Sequence, residues 1–271
     1  MGKFDNIAIL TDLDKTFFAD GTKIVERNIE AIEYFKSEGG IFTISTGRLH
    51  FNLDVVIPGL DKLINAPALM CNGTYFYDFC EKKSSKEIFI DADLAYKTVQ
   101  FVHNSNITRS IRGSARDGYV VDSLEGKAAA TLRKCGINAI ISAPYDKWNT
   151  EGFYKLAFVD EPQTLAEVEA ALKKQFADRY EYNRSSPFQL ELQEKGINKA
   201  RLIPLFREMY AKQGKKLTVY ACGDNENDLA MLKSADVAVC PSNAIDRVKA
   251  ICDMCLCSNN EGVIADLVYS L

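Results

Sequence analysis

Four consecutive apolar residues, Ile7-Ala8-Ile9-Leu10, run straight into Thr11-Asp12-Leu13-Asp14-Lys15-Thr16. An unbroken apolar run of this kind predicts a strand buried on both faces, as in the middle of a parallel sheet. Asp12 and Asp14 then leave the strand at its carboxyl end, the edge at which open α/β sheets bind ligands. Two carboxylates one residue apart repel each other unless a cation shares their site. A hard divalent ion such as Mg²⁺, which prefers oxygen ligands, suits that charge.

The segments that follow repeat the theme. A helix is predicted from about Glu26, with Ile29, Ile32 and Phe35 on one stripe and Gly39-Gly40 as its stop. A second apolar strand then ends at Thr46-Gly47-Arg48. Strand, helix and strand in a parallel sheet imply a right-handed crossover, which puts both strand ends on one edge and Thr46 near Asp12. A third apolar run, Ala68-Leu69-Met70-Cys71, breaks at the turn pair Asn72-Gly73. The chain becomes polar around residues 81–86, and helical and strand patterns then alternate for about a hundred residues. Strands are expected there near 119–121, 139–142, 154–159, 180–182 and 188–192. From Lys195 the first pattern resumes: a helix, then an apolar strand ending at Gly223-Asp224, then further helices and a strand near Val237. The expected organisation is an α/β core of residues 1–82 and 190–271 around a Rossmann-like parallel sheet, with an α+β domain of residues 83–189 inserted into it.

Gly223-Asp224-Asn225-Glu226-Asn227-Asp228 is a second acidic cluster. Asp224 falls at a strand end, and Asp228 lies four residues on, on the same side of the helix that follows. Helix capping accounts for one or two of these polar residues, but not for an acidic pair delivered by another apolar strand. Neither cluster is a calcium loop, since Phe17 and Leu229 stand where that loop needs glycine. Lys199 lies at the start of a predicted helix, against the dipole preference, and a solvated surface lysine is the alternative reading there.

Composition closes off other classes. A formal charge of −4 gives no basic field for nucleic acid. No apolar run approaches the roughly 20 residues that span a bilayer, and the N-terminal residues lack a signal-peptide core. Eight scattered cysteines suggest reduced thiols and a cytoplasmic location. Cys252, Cys255 and Cys257 have no fourth ligand nearby for zinc, and are expected to fill apolar space. With two histidines, His50 and His103, neither beside an acidic cluster, histidine-based phosphoryl or acyl transfer lacks parts. No Gly-x-Gly-x-x-Gly follows the first strand, which excludes a dinucleotide fingerprint.

Taken in order, Asp12-Leu13-Asp14-Lys15-Thr16, Thr46-Gly47-Arg48, Lys199 and Gly223-Asp224-x-x-Asn227-Asp228 resemble the four motifs of the haloacid dehalogenase (HAD) superfamily, and in particular its Cof-like phosphatases with a large α/β cap. Pro241-Ser242-Asn243-Ala244 and Glu261-Gly262-Val263 resemble further segments of that group. The resemblance implies a Mg²⁺-dependent phosphatase acting on a small-molecule phosphate ester such as a sugar phosphate. A sugar phosphomutase of the same fold and a non-catalytic phosphate-ligand sensor are the alternatives. It further implies Asp12 as nucleophile and Asp14 as acid and base. The metal is then held by Asp12, Asp224 and the backbone carbonyl of Asp14. Thr46 and Lys199 would bind phosphoryl oxygens, with Asn227, Gly47 and the backbone near Leu13 adding contacts. Thr16 and Asp228 stand behind these groups. Lys15 replaces the group's commoner glycine, and Ser45 its usual alanine. Selectivity is expected in the inserted domain, where Arg109, Arg112, Arg116 and Tyr119 are candidates for substrate contact; a solvated face is the other reading of those arginines.

Overall fold

The computed structural model describes residues 2–271, with Asp54 and Val55 described by their backbone only. Ile7–Thr11 lies inside a five-stranded parallel sheet, between Ile41–Ile44 on one side and Thr218–Cys222 on the other. Val237–Pro241 and Met254–Leu256 extend it beyond Thr218–Cys222. Ala8, Ile9 and Leu10 are wholly buried, as a strand covered on both faces requires. Ala8 and Leu10 share a core with Val219 and Ala221 and with Leu202, Ile203 and Phe206 of the helix Leu202–Ala211. Helix Glu26–Ser37 buries Ala31, Ile32 and Phe35, and packs against the last helix, Val263–Ser270.

The amino edge of this sheet is closed by side chains. The second residue of three strands donates its backbone N–H to a carboxylate or amide: Phe42 to Asn65 Oδ1, Val219 to Asp236 Oδ2 and Ala238 to Asp253 Oδ2, each at 2.8 Å. With those donors satisfied, the carboxyl edge remains as the place where functional groups collect.

Several elements differ from the sequence-based expectation. Met254–Leu256 is an edge strand of three residues, too short to stand out as an apolar run. Short helices at His50–Val56 and Leu60–Leu63 occupy a stretch without helical periodicity long enough to show. The helix expected to have Lys199 at its start begins at Leu202. Before it, Asn198 caps a tight turn, accepting the N–H of Ala200 on its side chain and that of Arg201 on its carbonyl, both at 3.0 Å. Cys71, Cys222 and Cys240 are buried and half-buried Cys252 packs against the core, whereas Cys255 is exposed and Cys257 half-buried, so these last two do not fill it.

The chain divides into two compact units, one running up to Glu87 and again over Asn198–Leu271, the other Ile88–Ile197. The second unit is built on a six-stranded sheet in the order Ile140–Ser142, Gly118–Val121, Ile111–Ala115, Phe153–Val159, Gln189–Glu194, Tyr180–Ser186. Gln189–Glu194 therefore belongs to this sheet, and the return to the first unit comes at Asn198 rather than at 190. One face packs Ile111, Leu156, Phe158, Leu190 and Leu192 against helices Ala92–Ser105 and Pro162–Phe176. The alternate positions are polar and buried: Arg112, Ser114, Lys155, Glu191 and Gln193.

On that polar side Lys155 Nζ lies 2.5 Å from Glu191 Oε1, with both side chains at most 4% exposed. Burial pushes the Glu191 carboxyl up, but Lys155, Arg112 and a hydrogen bond from Gln189 outweigh it and hold the group below its ordinary range. The pair therefore contributes stability that is complete above about pH 4.3, the unfolded value. That stability is lost as pH falls through the lowered folded value. In urea titrations, Glu191→Gln is expected to show a flatter loss of stability between pH 5 and 3 than the wild type. Lys155→Met strands a buried carboxylate and is expected to cost about 3–5 kcal/mol at pH 7. A wild-type acid limb unchanged by Glu191→Gln would show that the pair does not govern acid sensitivity.

Candidate active site

Three parallel strands end side by side, and backbone hydrogen bonds set their registration. Asp12 donates its N–H to Cys222 O at 2.8 Å, Ser45 to Thr11 O at 2.8 Å, and Gly223 to Val239 O at 3.2 Å. Asp12, Thr46 and Asp224 thus leave adjacent strands on one edge. Beyond Asp12 the chain turns sharply, with Lys15 in the left-handed region at φ 61°. The turn carries the Thr16 hydroxyl to Asp224, to which it donates at 3.0 Å.

Lys199 occupies the centre. Its side chain is fully buried, with Nζ 2.7 Å from Asp12 Oδ1 and 2.5 Å from Asp228 Oδ1. The solvated-surface reading of this lysine is therefore excluded; Lys195, which pairs with Asp178 at 46% exposure, fits it instead. Asp228 is held from behind. Its second oxygen, Oδ2, accepts the N–H groups of Asp224 and Asn225, each at 3.0 Å, in a reciprocal cap with Asn225. Gly223 makes room for this, since a Cβ there would lie 2.6 Å from the Asp228 side chain.

Asp12, Asp224 and Asp228 each offer an oxygen within 4.8 Å of the others. Burial drives the Asp12 carboxyl well above its usual range; Lys199 pulls it down, and Asp228, Asp224 and Asp14 push it up again. Asp224 rises to about 6, through burial and Asp228, against the opposing pull of Thr16, Lys199 and Lys15. Burial lowers Lys199, but the two aspartates outweigh it and raise it above its ordinary value, so it remains an ammonium. Three buried carboxylates facing one ammonium are a donor set short of positive charge. Hard oxygen donors with that deficit fit a divalent cation such as Mg²⁺. With both Asp228 oxygens already engaged, Asp12 and Asp224 are the side chains placed to hold it.

The remaining residues fall into two groups. Asp14 is half exposed, and Arg48 grips both its oxygens, Nε at 2.9 Å and Nη2 at 2.6 Å. Thr46 is buried and accepts the Arg48 N–H on Oγ1 at 3.2 Å, which leaves its hydroxyl proton for another acceptor. Gly47 follows it directly, Asn227 donates Nδ2 to Asn72 Oδ1 at 3.4 Å, and the Leu13 side chain is buried, so only its backbone can face a ligand. Arg109, Arg112, Arg116 and Tyr119 all lie in the second unit. Arg109 is exposed and donates to Asn106, and Arg116 is exposed, with its guanidinium over the Phe89 ring. Arg112 departs from the solvated-face reading. It sits in the strand Ile111–Ala115 at 6% exposure, donates Nη2 to Gln189 and lies over the buried Tyr119 ring at 5.5 Å. Sequence reasoning gave no role to Arg48 or Asn72. An arginine following Thr-Gly at a strand end was the available signal for the first, and for the second a left-handed turn pair at a third strand end.

Comparison with known proteins points to one family. A family model described as haloacid dehalogenase-like hydrolase matches residues 9–268. The pyridoxal phosphate phosphatase YbhA of Escherichia coli is 24% identical, with 97% of each chain covered. The 5-amino-6-(5-phospho-D-ribitylamino)uracil phosphatase YwtE of Bacillus subtilis is likewise 24% identical over 97% of each. Among solved structures, a haloacid dehalogenase-like hydrolase from Bacteroides thetaiotaomicron superposes with a TM-score of 0.82 at 23% identity, covering 99% of both chains. A match across nearly the whole chain, on a parallel sheet whose carboxyl edge gathers Asp12, Thr46, Lys199 and Asp224, places this protein in the haloacid dehalogenase-like hydrolase family.

Proposed function

We propose that the chain is a Mg²⁺-dependent phosphatase that hydrolyses a small phosphate monoester through an aspartyl-phosphate on Asp12. The observation that carries this reading is the buried ammonium of Lys199 between Asp12 and Asp228, beside Asp224. Such a cluster can take up a dianionic phosphoryl group only with cationic help, and Lys199 supplies part of that help. Asp12, Asp224 and the Asp14 carbonyl are proposed to hold Mg²⁺, which when bound screens the repulsion between carboxylate and phosphate.

The steps follow from what each side chain can do. The Asp12 carboxylate, held at Oδ1 by Lys199, is the attacking group. Its bond to phosphorus forms as the bond to the leaving oxygen breaks. Asp14 gives that oxygen a proton, then takes one from the water that attacks the phosphorus of the aspartyl-phosphate. Orthophosphate leaves and Asp12 is restored. Because Arg48 occupies both Asp14 oxygens, proton transfer requires that contact to open. The Thr46 hydroxyl and Lys199 donate to equatorial oxygens, where the transition state carries its charge, with Gly47, Asn227 and the Leu13 backbone as further contacts.

Pyridoxal phosphate and a ribitylamino-uracil phosphate, for which two relatives are named, are both small phosphate esters of hydroxyl-rich or heterocyclic compounds. A sugar phosphate or similar ester is the substrate class proposed here. The second unit is proposed as the cap that selects it, with Arg109, Arg112, Arg116 and Tyr119 as its candidate contacts.

Two measurements test the reading. Asp12→Asn, assayed for orthophosphate release from a general phosphate ester with Mg²⁺, should lose about a thousandfold or more of turnover. Retained turnover would rule out covalent catalysis by Asp12. Removal of divalent ions with a chelator should stop the wild-type reaction, and added Mg²⁺ should restore it. Full activity in the chelator would exclude the metal.

A further inference from the structure

The turn Cys71–Thr74 takes no part in the steps above, yet it touches the segments that carry three of the phosphate-binding groups. Its residues are buried, and three in succession stand in the left-handed region: Cys71 at φ 52°, Asn72 at φ 53° and Gly73 at φ 90°. Such backbone persists only where the surroundings determine it. Here the surroundings are the proposed site itself. Cys71 donates its N–H to Arg48 O at 3.1 Å, and Asn72 to Thr46 O at 2.9 Å. The Asn72 side chain accepts Asn227 Nδ2 at 3.4 Å. It also lies so close over Gly47 that a Cβ there would come within 2.9 Å of its Oδ1. Gly73 presses on the segment of Lys199, where a Cβ would meet Asn198 O at 2.0 Å. Arg201 locks the turn down, donating to Gly73 O at 3.0 Å and Thr74 O at 3.1 Å.

We propose that Asn72 is a positioning residue of the phosphoryl site: its backbone N–H sets Thr46 while its side-chain amide sets Asn227. Neighbouring Gly73 completes the brace at Lys199. Groups from three separate segments are thereby held at fixed separations, and a misplacement of about 1 Å in such groups can cost about a hundredfold in rate. The proposal rests on Thr46, Asn227 and Lys199 binding phosphate. The simpler role for Asn72 is turn formation, because asparagine tolerates left-handed backbone. Glycine would serve that role equally well, which separates the two.

Asn72→Gly keeps the backbone conformation and deletes the amide. Its kcat on a phosphate ester should fall about 10- to 100-fold with KM changed by less than about threefold. In the double variant with Asn227→Ala, kcat should drop no further than in Asn227→Ala alone, since Asn72 acts through Asn227. Should Asn72→Gly fail to fold, Asn72→Ser, too short to reach Asn227, carries the same expectation. An unchanged kcat, or losses that multiply in the double variant, would overturn the assignment while leaving the phosphatase reading intact. A wild-type protein that releases no phosphate overturns that reading, and this one with it.

Discussion

The ammonium of Lys199 is the charge that makes the carboxyl edge of the sheet possible. A lone ammonium or carboxylate cannot be buried without a partner, because the lost hydration costs several kcal/mol per ion. Lys199 is buried completely and has two partners, Asp12 and Asp228, at 2.7 and 2.5 Å. Each comes from a different strand–turn segment, and Lys199 itself from a turn ahead of a helix. The ion cluster therefore fixes the relative position of three stretches, with Lys199 187 residues from Asp12 and 29 from Asp228 in sequence. Burial displaces the carboxyls of Asp12 and Asp224 upward, and the unbalanced negative charge of the cluster adds to that shift.

Asp228 shows how the fold divides labour among similar side chains. By position alone it is one of three acids that could share a cation. Its hydrogen bonds decide otherwise. One oxygen is committed to two backbone N–H groups at the start of the short helical turn, and the other to Lys199. A carboxylate with both oxygens engaged orients its neighbours rather than coordinating. Asp12, with one oxygen engaged, and Asp224, bonded to the Thr16 hydroxyl, keep capacity for a further partner.

This division was only partly legible in the sequence. The parallel sheet was readable because strands buried on both faces lose their alternation and become solid apolar runs, as in Ile7–Leu10. The acids at their ends were readable because carboxylates at the exit of such a strand are costly unless used. Contacts made by ordinary-looking polar residues were not readable. Arg112 and Lys155 resemble surface cations, and only the pairing of strands Ile111–Ala115, Phe153–Val159 and Gln189–Glu194 brings them to Gln189 and Glu191. Arg48 and Asn72 were each visible at a strand end, but a strand end does not announce which segment its side chains will face. The edge strand Met254–Leu256 failed for a further reason: with a neighbour on one side only, it needs little apolar sequence.

Lys15 brings strain and electrostatics together. Its φ of 61° lies in the region that favours glycine, and for an ordinary side chain this backbone costs roughly 1–2 kcal/mol. The conformation is needed, since it turns Thr16 back toward Asp224 and presents the Lys15 carbonyl to Asn243 Nδ2 at 2.8 Å. Glycine would relieve the strain without supplying charge. Lysine accepts the strain and adds an ammonium that pulls the Asp224 carboxyl downward, against burial and against Asp228. At an edge where acids outnumber cations, lysine thus adds positive charge, the smallest of the pulls on Asp224, at a position glycine would occupy without strain.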